Sequence, residues 1–274
     1  MIPLHDSNPT SRFAWLTLAI IVANVLIFLL WEPIGGSDFQ QQIFYFCHAE
    51  IPWEVSHEEN LADGGAAARQ AIDETYQPSL GAPLQQLLQR RCGDKSWWQS
   101  VFVAMFLHGG WLHIGGNMLF LWIFGNNVED RLGRIAFLAF YLLGGLAATG
   151  LQLAFDPSSA VPNLGASGAI AAILGAYAVM FPRARVYTLV IFFFITAVEL
   201  PAIVVLLAWF VLQLFSGVGG LGDEVNAGVA YWAHVGGFVF GAAAAWLFFR
   251  GRGDTGRPAS GRYASLPPRP DDPF

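Results

Sequence analysis

Phe13–Trp31 runs for 19 residues without an acidic or basic side chain, about the length that crosses a bilayer's hydrocarbon core as one helix. Five further apolar stretches follow, roughly Trp111–Val128, Ile135–Phe155, Ser167–Phe181, Pro201–Phe215 and Gly228–Phe249. The fourth and fifth are short for lipid-facing spans and are expected to be shielded by neighbours. Only 12% of the 274 residues are charged and 55% are hydrophobic, whereas an ordinary soluble domain has about 25% charged. That leaves too little polar surface to coat a water-soluble globule. The net charge of −6, with no sustained Lys/Arg run, excludes a nucleic-acid-binding protein. The expected fold is therefore an all-α membrane protein with six transmembrane helices.

Orientation follows from where Lys and Arg fall. Arg12, Arg131 and Arg134, Arg183 and Arg185, and Arg250 and Arg252 flank alternate loops, while Asp156–Leu164 and Ser216–Asn226 contain neither residue type. Both termini are thus expected in the cytoplasm, with the even-numbered helices running inward. Residues 1–12 read as a cytoplasmic tail, 13–249 as the membrane domain with a long outer loop over 32–98, and 250–274 as a disordered cytoplasmic tail. Met1–Arg12 lacks a basic n-region, so a cleaved signal peptide is not expected. Tyr187–Glu199 is also apolar, but fused to the fifth stretch it would exceed the bilayer. Pro201 suits the first turn of a new helix, so the segment is expected on the membrane surface.

The outer loop holds the protein's two cysteines, Cys47 and Cys92. In an oxidising compartment they can pair, or remain as two thiols in partly buried segments. Leu61–Ala71 reads as a small surface insertion without catalytic features.

Polar groups inside spans are costly and are functional candidates by default. Three clusters qualify: His108-Gly-Gly-Trp-Leu-His113-Ile-Gly-Gly-Asn117, Gly165-Ala-Ser167-Gly168, and Ala233-His234-Val-Gly-Gly237. All lie near the starts of even-numbered helices, and at 1.5 Å per residue they share one shallow layer within about 10 Å of the outer face. Ser167, Ala171 and Gly175 recur every four residues, as do Ala233, Gly237, Gly241 and Ala245. Such small-residue stripes allow close helix approach in lipid, which would bring Ser167 to His234. Plain helix packing would use the same stripes.

A serine becomes a nucleophile when a neighbouring base takes its proton, and neutral His234 can serve. No Asp or Glu lies at comparable depth to orient the imidazole, so a dyad is expected. The Ser167 amide sits at a helix N-terminus, and His113 and Asn117 share one helical face. These three can aim N–H groups at a developing oxyanion. His108 precedes its span and is assigned to holding the loop. A metal at His108 and His113 is not expected: five-residue spacing splits them between faces and HExxH is absent. No cofactor is implied.

Together, His108-x4-His113-x3-Asn117, Gly165-x-Ser167-Gly168 and Ala233-His234-x2-Gly237-x3-Gly241, with Glu129 and Arg131 after the second span, resemble the rhomboid intramembrane serine proteases. The resemblance covers roughly Phe13–Phe249. It implies a six-helix rhomboid bundle in the cell membrane, with Ser167 as nucleophile and His234 as general base. His113, Asn117 and the Ser167 amide would form the oxyanion hole, with Gly165, Gly168, Gly237 and Gly241 as structural supports. It further implies that Trp98–Leu107 lies in the outer leaflet, and that the fifth helix with the loop near Gly217–Asn226 gates lateral access. One departure stands out: a Tyr that packs on the histidine in some members is Ala171 here.

The expected partners are transmembrane segments of other proteins and the lipid bilayer. The expected reaction is peptide hydrolysis near the outer face through an acyl-enzyme. The alternative is a catalytically inactive rhomboid-like module that binds transmembrane clients. A transporter fits least, because the inner halves of the spans are almost purely apolar.

Overall fold

The structure, a computed structural model, describes residues 2–77, 79–191, 195–219 and 230–249. The expected gating loop from residue 220 onward and the tail from 250 lie outside the described residues. The apolar stretches form α1 (Trp15–Leu30), α7 (Trp111–Phe120), α9 (Arg134–Phe155), α10 (Ser167–Met180), α11 (Ala202–Gly219) and α12 (Tyr231–Phe249). Helix α7 continues through a π-helical segment, Leu121–Gly125, into α8 (Asn126–Leu132). Among the described helices, α9 and α12 are long and apolar enough to cross a membrane, and α1, α10 and α11 are apolar but shorter.

Helix α10 is the axis of the bundle, with every residue from Ala169 to Ala178 buried. Its alanines and glycine leave the backbone nearly bare, so α9 and α12 approach closely on either side. A Cβ on Gly241 of α12 would fall on the Ala172 carbonyl, and one on Gly237 on the Gly168 carbonyl. The expected face-to-face packing of the two stripes is what the helices do. At the opposite end of the bundle, the Glu129 carboxylate accepts from Leu16 N (3.1 Å), Thr17 N (2.6 Å) and Thr17 Oγ1 (2.8 Å). It satisfies the free N-terminal amides of α1, which have no cap of their own.

The long loop between α1 and α7 is a folded unit, containing α2 (Asp38–His48), α3 (Pro52–His57), α4 (Gly65–Thr75) and α5 (Gly81–Cys92), followed by α6 (Trp97–Ala104). Leu61–Ala71 is not a surface insertion: Leu61, Ala62, Ala68 and Ala71 are buried with Phe46, Ile51, Trp53, Ile72 and Leu88 in a core separate from that of the bundle. A disulfide joins Cys47 to Cys92, with Cα atoms 4.9 Å apart. Beside it, Lys95 Nζ meets Glu54 Oε2 at 2.6 Å, both side chains almost fully buried. Glu54 also accepts from Leu61 N at 3.0 Å, and Lys95 donates to the Phe46 carbonyl at 2.8 Å. Each buried charge therefore has a partner and a further hydrogen bond, the condition under which such a pair is tolerated.

The all-α expectation needs correction at the far end, and so does the reading of residues 1–12 as a plain tail. Strands β1 (Ile2–Asp6), β2 (Arg185–Ile191) and β3 (Ile195–Pro201) form an antiparallel sheet in the order β1-β2-β3. Tyr187 lies opposite Glu199 on one side and His5 on the other. The Val/Tyr/Thr/Leu/Val run of β2 favours an extended, half-buried surface. β3 pairs with one edge of it, and the N-terminal residues supply the strand that pairs with the other. Asp6 locks this arrangement to the bundle, accepting from Tyr177 Oη (2.6 Å) on α10 and Asn127 Nδ2 (2.8 Å) on α8.

Gly241→Val should force α12 away from α10 and lower stability in detergent by about 3 kcal/mol. Gly150→Ala serves as the control, because a Cβ there meets nothing within 4 Å and should leave the thermal melt unchanged or slightly raised.

Candidate active site

At the end of the bundle that carries the loop unit, Ser167 opens α10 and His234 lies in the first turn of α12. Their contact is direct: Ser167 Oγ and His234 Nε2 are 2.7 Å apart. They line a cavity of about 520 Å³ together with His113 and Asn117 of α7 and Trp209 and Gln213 of α11. Residues from four helices, 121 positions apart at the extremes, thus meet in one hollow, where they stand among apolar side chains such as Phe120, Leu164 and Leu174.

The donors around the serine have definite roles in hydrogen bonding. As the first residue of α10, Ser167 has a backbone N–H with no partner within the helix. His113 Nδ1 accepts from Gly109 N at 3.3 Å, so the ring proton resides on Nε2. That nitrogen points toward Gly165, where an added Cβ would sit 2.8 Å from it and 3.4 Å from Ser167 Oγ. Gly165 has φ +127°, a conformation that excludes a side chain for backbone reasons as well. Asn117 is buried and its Nδ2 has no hydrogen-bond partner, an expensive state for a donor unless something else occupies it. Three N–H groups are therefore free at the site.

His108 stands behind this layer. Its ring is fully buried and edge-on to His113, with centroids 5.2 Å apart. Its backbone N–H donates to the Glu32 carboxylate at 3.0 and 3.1 Å, and its carbonyl accepts from Tyr45 Oη at 3.1 Å. Burial, and secondarily the neighbouring His113, depress its pKa to about 3, so the ring is neutral.

The sequence reading missed what holds His234. Gln213 Oε1 lies 2.7 Å from His234 Nδ1, and Trp209, one turn earlier on α11, packs against the imidazole with centroids 5.8 Å apart. Gln213 is a polar residue inside an apolar span, the signal that singled out the other clusters. Its side chain is an amide, so it carries none of the charge by which an orienting Asp or Glu stands out in a span. Ala171 is fully buried and faces α12, where a Cβ on Gly237 would lie 3.1 Å from its own.

The loop leading into Ser167 is gripped by the loop unit. Trp53 N donates to the Ser159 carbonyl (3.0 Å), Ala160 N to Thr75 Oγ1 (3.1 Å) and Asn163 N to the Glu50 carbonyl (2.7 Å). Ala160 is itself part of the loop unit's core. Gly165 N then donates to the Ala104 carbonyl of α6 at 2.8 Å. Glu50 and Ser167 line a second, small cavity of about 50 Å³. Burial pushes the Glu50 carboxyl up to about 7.

Apolar helices that gather polar side chains at one end suit the multi-pass membrane fold that a rhomboid domain implies. A profile of the Rhomboid domain matches residues 94–251, more than half of the chain, and the chain belongs to the rhomboid family. RHOMBOID-like protein 4 of Arabidopsis thaliana is 26% identical over 232 residues, 84% of this chain and 52% of that protein. Rhomboid protein 1, mitochondrial, of Saccharomyces cerevisiae is 33% identical over 91 residues, 32% of this chain and 26% of that protein. Rhomboid protease GluP of Bacillus subtilis is 39% identical over 80 residues, 29% of this chain and 15% of that protein. The chain thus spans between 15% and 52% of the length of these relatives.

A carboxyl raised on folding from 4.5 to about 7 favours the folded state in full below its unfolded pKa, and the benefit is lost as pH rises through about 7. Wild type should therefore lose roughly 3 kcal/mol between mildly acidic and mildly alkaline pH relative to a Glu50→Gln variant. Thermal melts of both across that range read the difference.

Proposed function

We propose that the protein is an intramembrane serine endopeptidase that cleaves transmembrane segments of other membrane proteins near the outer face of the cell membrane. The observation that carries this reading is the 2.7 Å contact between Ser167 Oγ and His234 Nε2 inside a cavity that also presents unpartnered N–H groups. His234 takes the Ser167 proton as Oγ attacks the scissile carbonyl. The oxyanion draws on the Ser167 amide, His113 Nε2 and Asn117 Nδ2. The imidazolium then protonates the leaving amine, and water, activated by the same histidine, hydrolyses the acyl-enzyme.

The six helical stretches are the spans of a domain over 13–249, with both termini cytoplasmic. The loop unit over 32–98 and its disulfide then face the oxidising outside, and the sheet lies on the inner side with the arginines. A substrate bond must leave its helix to reach Ser167, because a helical backbone is hydrogen-bonded and covered by side chains. Small residues at the cut and helix-weakening residues nearby should therefore be preferred.

Two measurements test the reading. A serine-directed fluorophosphonate should label Ser167 in wild type but not in His234→Ala. Co-expression with tagged single-span proteins should give fragments that vanish in Ser167→Ala and fall about a hundredfold in Asn117→Ala. An unreactive serine in folded protein, with identical fragment patterns in wild type and Ser167→Ala, would instead mean a module that binds transmembrane clients without cutting them.

A further inference from the structure

Imidazole has two neutral tautomers, and only one can accept a proton from Ser167. Because His234 Nε2 faces Ser167 Oγ, the ring proton must sit on Nδ1 for the pair to react. The atom opposite Nδ1 therefore decides whether the serine is activated. Here it is Gln213 Oε1 at 2.7 Å, an acceptor with no proton to give.

We propose that Gln213 is a positioning residue that fixes His234 in the tautomer and rotamer that serve Ser167. The assignment rests on the serine-protease reading above. Trp209 and Gln213 are four apart on α11, hence on one face, and the ring meets both: the indole lies tilted beside it, centroids 5.8 Å apart, and the amide oxygen binds its edge. As His234 becomes imidazolium, its Nδ1–H···Oε1 bond turns charge-assisted and strengthens. Gln213 thus stabilises the ring most when it carries the serine's proton, while itself exchanging none.

The groups around the imidazole leave few competitors for this role. From α7 the titratable neighbour is His113, and from α10 it is Ser167. From α9, Gln152 Oε1 is engaged by Ala233 N at 3.3 Å. On α12 itself, Tyr231 lies against Gly217 of α11. Glu50 and Ser167 line the small cavity, and among the described residues no carboxylate lines the cavity that His234 shares with Gln213.

The test is the rate at which a fluorophosphonate labels Ser167 in purified full-length protein, followed from mildly acidic to mildly alkaline pH. Gln213→Met keeps length and volume but removes the acceptor. It should slow labelling on the order of a hundredfold while leaving the thermal melt near that of wild type. Gln213→Glu restores an acceptor and adds a negative charge that favours imidazolium. It should recover most of the rate and move the acid limb of the pH profile upward by about one pH unit. Wild-type labelling by Gln213→Met, or an unmoved acid limb in Gln213→Glu, overturns the proposal. Should Gln213→Met fail to fold, the acid limb of Gln213→Glu decides alone. If wild type itself is not labelled, the serine-protease reading fails and takes this proposal with it. Labelled wild type with indifferent Gln213 variants removes only the proposal.

Discussion

Two backbones in this protein come closer than any side chain would permit, and the contact between Ser167 and His234 depends on that approach. Lipid tails are as apolar as leucine, so helices in a bilayer gain little by hiding apolar surface from one another. What holds α10 to α12 is dispersion across a bare interface, with the Gly168 and Ala172 carbonyls seated on Gly237 and Gly241 and the Phe238 carbonyl seated on Gly175. Because the seats repeat every four residues on both helices, they fix register as well as distance. Displacing α12 by one residue would bring Phe238 or Phe240 onto a carbonyl. Ser167 is the residue before the first seat on α10 and His234 lies about one turn before it on α12, so both inherit its precision.

The serine has a second constraint from outside the bundle. A helix N-terminus frays unless the chain entering it is held, and here residues 159–165 are bonded to α3, α4 and the segment around Glu50 before Gly165 turns into α10. The loop unit therefore belongs to the site mechanically, although it brings no group to the serine's front face. Its disulfide limits the conformations of the unfolded loop, and its buried Lys95–Glu54 pair fixes where α5 ends relative to α3. The bundle fixes the histidine's side of the contact, and the loop unit fixes the serine's.

What the sequence made legible tracks how strongly the bilayer constrains each residue type. Long uncharged runs and four-residue stripes of Gly and Ala have few uses outside membrane helices, so the apolar helices, the α10–α12 pairing and the Ser167–His234 contact were legible. The sheet could not: β2 is a short apolar run that fits a strand or an interfacial segment equally well, and its partner is the N-terminal segment, 178 positions away between Ser7 and Arg185. Leu61–Ala71 read as surface because its small side chains, with Asp63 and Arg69 among them, offer little apolar area on their own. Its burial depends on distant partners, including Ala160. Gln213 was legible in principle, as a polar side chain in the fifth span one turn from a tryptophan.

That the group orienting His234 is an amide follows from where it sits. An orienting carboxylate is common in water-facing sites, where solvent and nearby dipoles offset its charge. Among the described residues, no Lys or Arg side chain lines this cavity, so a carboxylate beside Nδ1 would have to be neutralised in one of two ways. It could take up a proton, becoming a donor that competes with Nδ1–H, or it could keep a proton on the imidazole to higher pH, so that the lone pair Ser167 needs is free only above a raised acid limb. An amide oxygen avoids both outcomes. It accepts from Nδ1–H, carries no net charge to desolvate, and strengthens its bond only when the ring becomes charged. The same reasoning applies on the other side of the serine, where His113 and Asn117 offer neutral N–H groups to a charge that would exist only during reaction. The site is thus built from uncharged donors and acceptors, which a bundle in lipid can bury at rest without a compensating ion.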